Sequence, residues 1–85
     1  MPEKLVGKIK HYFSHLGVGV IELKNGVLKV GDTIHIKGNT SDLTQKIESL
    51  QIAKQQVEKI GPGESAGLKV TDHVRDNDDV YLVEE

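Results

Sequence analysis

The sequence predicts an all-β fold, a small closed or nearly closed antiparallel β-barrel of about six strands, with residues 1–85 as one domain. Three observations lead there. The stretch Val27 to Gly38 changes its apolar period at Gly31-Asp32, so it reads as a short extended run, a tight corner, and a strand whose Ile34 and Ile36 share one face. Related corners recur twice: Gly61-Pro62-Gly63-Glu64 precedes the alternating run Ser65 to Val70, and Asp76-Asn77-Asp78-Asp79 precedes Val80 to Val83. The repeated unit is turn, acid, strand, and short strands punctuated this way build small barrels and sandwiches. The third observation is length: 85 residues have room for one modest core and fall below the size at which a chain splits.

Taken in order, Leu5 to Phe13 alternates, with Leu5, Ile9 and Phe13 on one side and Lys4, Lys8, Lys10 and Tyr12 on the other. Ser14-His15-Leu16-Gly17 reads as a turn and Val18 to Leu23 as the return strand of a hairpin. The apolar parity of that return changes between Val20 and Ile21, which calls for a bulge or a strand covered on both faces. Asn25-Gly26 is a tight-turn signal, because both residue types tolerate positive φ. Asn39 to Asp42 reads as a polar loop.

Leu43 to Ile60 supports two readings. Leu43, Ile47, Leu50, Val57 and Ile60 fit a helical stripe that Ser41 or Asp42 would cap. The other reading is a strand over Lys46 to Ala53, bulged near Ser49 and Leu50, then an extended piece from Gln56 to Lys59. Local pattern leans to the helix, and the corners on both sides lean to the sheet.

Composition narrows the function. With a single phenylalanine and no tryptophan, aliphatic side chains must fill the interior. The absence of cysteine removes disulfides and thiolate zinc sites, and no run approaches the roughly 18 apolar residues of a membrane span. The N-terminal MPEKLVGK lacks a signal-peptide pattern, so the expected setting is the cytoplasm. The net charge of −2 divides into +3 over residues 1–60 and −5 over residues 61–85, so any contact with nucleic acid must be local.

The candidate binding surface is the basic face of the first strand, Lys4, Lys8, Lys10 and Tyr12, with Lys37, Lys46 and Lys54 as neighbours across the sheet. Lysines over one stackable tyrosine suit RNA phosphates and a base; the competing account is a solvated face whose lysines guard a strand edge. His11, His15, His35 and His73 have no metal-ligand spacing, and Asp72, Asp76, Asp78 and Asp79 lack the calcium-loop pattern. Ser14 beside His15 has no recognisable orienting group. Neither catalysis, a metal nor a cofactor is expected. Gly31, Gly61, Gly63 and Gly67 are assigned to backbone geometry.

The run Val30-Gly31-Asp32-Thr33-Ile34-His35-Ile36-Lys37-Gly38, then Lys46 to Gln51, Val57 to Val70, and Arg75 to Val80, resembles the second domain of translational GTPases such as elongation factor Tu. The resemblance implies a small antiparallel barrel in which the segment matching Lys46 to Gln51 is a strand, which resolves the ambiguity in favour of sheet. It also implies a non-enzymatic, elongation factor-like module that docks to the ribosome, RNA or a translation-linked protein. No G-x-x-x-x-G-K-[ST] spacing occurs, so neither GTPase activity nor nucleotide binding is expected. A similar barrel occurs as the C-terminal accessory domain of collagenase-like peptidases, which makes a protein-interaction module the alternative. Either way the expected state is a monomer.

Overall fold

The computed structural model describes residues 3–39 and 41–83, and Thr40 of the expected polar loop lies outside them. All regular elements among the described residues are strands: β1 (Glu3–Phe13), β2 (Val18–Leu23), β3 (Leu28–Lys29), β4 (Thr33–Lys37), β5 (Asp42–Lys46), β6 (Leu50–Ile52), β7 (Gln55–Val57), β8 (Lys59–Ile60), β9 (Ser65–Lys69) and β10 (Asp79–Val83). Eight of them form an antiparallel sheet in the order β5-β4-β10-β1-β2-β9-β6-β7, and β3 pairs with β8 as a separate ribbon.

The three corners are one device. In each, an acid accepts a hydrogen bond from the amide three residues earlier and returns its own N–H to that residue's carbonyl. Lys29 N–H reaches Asp32 Oδ2 at 3.0 Å, Gly61 N–H reaches Glu64 Oε1 at 2.7 Å, and Arg75 N–H reaches Asp78 Oδ2 at 2.9 Å. The reciprocal bonds measure 3.1, 3.2 and 3.2 Å. The residue before each acid has positive φ: Gly31 at 98°, Gly63 at 85° and Asn77 at 70°. Glycine and asparagine are the residues that reach this region at least cost, which is why the corners are legible in the sequence. Each launches a strand whose second and fourth residues after the acid face inward: Ile34 and Ile36, Ala66 and Leu68, Val80 and Leu82. With Ile9, Ile21, Leu23, Leu50 and the ribbon's Leu28 and Ile60, they make one aliphatic core.

The closed or nearly closed barrel of about six strands is corrected. The sheet is open, its terminal strands β5 and β7 are not paired with each other, and ten strands are present among the described residues. Beside β5 the gap toward β9 is spanned by a side chain: Gln45 donates through Nε2 to the Lys69 carbonyl at 2.9 Å and accepts the Thr71 N–H on Oε1 at 2.9 Å. The extra strands come from breaks that no glycine announces. Residues 47–49 separate β5 from β6, with Ile47 still exchanging backbone hydrogen bonds with Gly31 and Asp32, and Ala53 and Lys54, with φ of 52° and 67°, form a two-residue hairpin joining β6 to β7. The segment from Leu43 to Ile60 is therefore sheet, but the strand expected over Lys46 to Ala53 is divided between β5 and β6, and the loop before it ends at Ser41.

β1 corrects the simple alternation. Register shifts between Leu5 and Gly7 against β10, and between Ile9 and His11 against β2, each insert one residue and reverse which parity faces the core. Val6 and Ile9 are buried; Leu5 and Phe13, expected inside, are 46% and 38% exposed, and Tyr12, expected outside, packs half-buried against the core. The bulge anticipated in the return strand lies opposite it, at Lys10 of β1. The parity change in β2 arises because Gly19, which shows no apolar side chain to a sequence reading, occupies an inward position between Ile9, Val70 and Val74.

Candidate functional site

Of the lysines expected on one basic face, the structure brings Lys8 and Lys37 into a single transverse row. That row also holds acids. Across successive strands the register reads Asp42 opposite Lys37, Lys37 opposite Asp79, Asp79 opposite Lys8, and Lys8 opposite Glu22, with Lys10 Nζ 3.9 Å from Glu22 Oε2. Opposite charges on facing positions of neighbouring strands attract, so this surface is an alternating ladder of charge. Lys46 lies two positions along β5, opposite Thr33. Lys4 sits opposite Leu82 with its ammonium beside Gly26, and Tyr12 meets His73 edge to face at a centroid distance of 4.7 Å. Lys54 sits in the turn joining β6 to β7, and the seven residues thus do not form one continuous basic patch.

On the same outer face, His35 of β4 is held between two carboxylates. Its Nδ1 lies 2.9 and 3.0 Å from the two Glu3 oxygens of β1, and its Nε2 lies 2.5 Å from Asp42 Oδ1 of β5. The side chain is 15% exposed, and Tyr81, directly opposite on β10, lies beside it at a ring distance of 6.1 Å. Both ring nitrogens face acceptors, so the ring serves both only as the imidazolium. The hydrogen bonds to Glu3 and then Asp42 raise its pKa above the ordinary histidine value against the opposing effect of burial. This clasp spans β1, β10, β4 and β5. Strand alternation shows that His35 points outward, but Glu3 stands 32 residues away, so no local signal announces the pairing.

A groove of about 660 Å³ opens between the β3–β8 ribbon and the β6–β7 hairpin, lined by Lys29, Val30, Glu48, Leu50, Val57 and Lys59 among others. It escaped the sequence reading because its walls come from residues that meet only when the ribbon pairs. Among the described residues, no three His, Asp or Glu side chains converge as metal ligands, and Ser14 and His15 are exposed residues of the β1–β2 turn.

The chain matches no protein-family model. It is 40% identical over 77 residues to a collagenase of Porphyromonas gingivalis, which covers 89% of this chain and 21% of the collagenase. It is 37% identical over 81 residues to an uncharacterized protease of Methanocaldococcus jannaschii, covering 94% of this chain and 20% of the protease. The chain therefore spans about a fifth of the length of the curated relatives it matches. Among solved structures, the C-terminal domain of a U32 peptidase candidate from Geobacillus thermoleovorans superposes with a TM-score of 0.87 at 17% identity, over 95% of this chain and 93% of that one. Its selenomethionine variant gives 0.84 at 18% identity, over 91% and 96%. These likenesses correct the resemblance to the second domain of elongation factor Tu and the translation role it implied. The homologues carry the names collagenase and protease, and the matching folds are peptidase C-terminal domains.

Proposed function

We propose that this chain is a non-enzymatic accessory module of the kind found at the C-terminus of collagenase-like peptidases, engaging a protein partner while the chemistry resides in a separate unit. The observation that carries this reading is the confinement of the likeness. Nearly all of this chain matches a fifth of a collagenase, and the solved counterparts of that portion are C-terminal domains. The interleaved acids of the Lys8 and Lys37 row favour a protein partner over a phosphate backbone, which would require a local basic excess.

A chimera tests it: the P. gingivalis collagenase with its matching 77-residue segment replaced by this chain, compared with a deletion of that segment. Turnover of gelatin by the chimera is expected within about threefold of the parent, the isolated chain being inactive. A folded chimera no better than the deletion would overturn the proposal, as would hydrolysis by the isolated chain or salt-sensitive binding of the isolated chain to structured RNA.

A further inference from the structure

The groove between the ribbon and the β6–β7 hairpin sets two like charges in facing positions. Lys29 of β3 and Lys59 of β8 lie directly opposite each other, and their neighbours Leu28 and Ile60 face the core, so both lysine side chains stand on the same outer face. Like charges in directly facing positions repel. Elsewhere the sheet alternates acid with base in such positions, as at Lys8 with Asp79 and Glu22. Among the described residues, neither Lys29 nor Lys59 enters an ion pair. A carboxylate placed between the two ammonium groups removes the repulsion and gains two charge-assisted hydrogen bonds.

The rest of the groove specifies what carries that carboxylate. Its floor and lip are apolar at Leu50, Val57 and Val30, and Val30 is 43% exposed. One wall is β7, which ends the eight-stranded sheet and presents an edge unpaired by any strand among the described residues. An extended segment laid along such an edge gains main-chain hydrogen bonds while alternate side chains enter the groove. The volume of about 660 Å³ lies within the range of small-ligand sites, room for a few side chains of such a segment. Glu48 and Glu58 also line the groove, so a run of several acids would be repelled and a single acid among apolar and neutral residues fits best.

We propose that this groove binds an extended segment of a protein partner, seating one aspartate or glutamate side chain between Lys29 and Lys59 and, from two positions along the segment, an apolar side chain against Val30 and Val57. The assignment rests on the protein-interaction reading and names the chemistry of the partner's segment.

Nitrogen–proton correlation spectra of this chain test it with three seven-residue peptides alternating valine and serine. One carries a central glutamate and an amidated end, one a central lysine and an amidated end, and one no charge except a free terminal carboxylate. The glutamate peptide is expected to shift the amides of Lys29, Val30, Gln56 and Lys59, with affinity at least tenfold above the lysine peptide. The double variant K29A/K59A should lose that preference while keeping a folded spectrum, and K24A, away from the groove, should retain it. Shifts elsewhere, no saturation at millimolar peptide, equal response to the lysine peptide, or preference for the terminal carboxylate alone would each overturn the assignment. The collagenase chimera reads the accessory role separately, so a folded, active chimera alongside a silent groove would reject the site and leave that role standing.

Discussion

Replacing His35 with glutamine removes the cation from a clasp that ties the edge strand β5 to β1 across β10, and its effect should depend on pH in one direction. The ring's pKa is raised in the folded protein by its hydrogen bonds to Glu3 and Asp42. The resulting stabilisation is therefore fully present below the unfolded value of 6.5 and disappears as pH rises through the higher folded value. Hydrogen bonds to charged groups contribute roughly 1.5–3 kcal/mol. Here the partners are 36% and 75% exposed, so water screens them and about 1 kcal/mol is the appropriate scale. For a domain of this size that is roughly 4–8 °C in Tm. Thermal melts followed by circular dichroism in matched buffers from pH 5 to 9 should show the wild type above His35→Gln by that margin at the acid end, with the gap closing toward the alkaline end. A gap that stays constant or widens with pH would refute the clasp.

Three further outcomes follow from backbone and core geometry. At Gly7 a Cβ would overlap the Glu22 carbonyl on the neighbouring strand, so Gly7→Ala should cost about 2–3 kcal/mol in urea unfolding. Ala53 and Lys54 hold positive φ in a two-residue hairpin, so the double change A53N/K54G should stabilise by about 1–2 kcal/mol, read as a higher urea midpoint at unchanged slope. Leu68 is fully buried between β2 and β6, so Leu68→Ala should cost about 2–5 kcal/mol, measured the same way.

The legible parts of the fold were those where one residue type is nearly forced. Gly31, Gly63 and Asn77 mark their corners because few other residues adopt positive φ cheaply, and the acid that follows each one closes the turn through its own amide and carboxylate. Ile34 and Ile36 marked an inward face because β4 runs without a bulge. β1 misled the reading because its two register shifts reverse parity twice, which turned Leu5 and Phe13 outward and Tyr12 toward the core. The Ala53-Lys54 hairpin was invisible because neither residue favours the conformation it holds. The elongation-factor resemblance followed the corner motifs, and motifs that encode a backbone device are shared by any small barrel that turns this way.

The candidate site was less legible, since its features depend on long-range pairing. Lys8 and Lys37 read as part of a basic face until the register placed Asp79 between them and Asp42 and Glu22 on their outer sides. Lys29 and Lys59 face each other only because β3 meets β8 across the twenty-nine residues between them.

By itself, then, the sequence determined the three acid-closed corners, the strands they launch and the aliphatic nature of the core, because these follow from local conformational cost and from the scarcity of aromatic residues, while local pattern left Leu43 to Ile60 between helix and sheet. Only the tertiary structure decided that the sheet stays open, which side of β1 faces inward, and which charges neutralise one another. Those depend on strand register, and a shift of one residue exchanges the two faces of a strand without altering its composition.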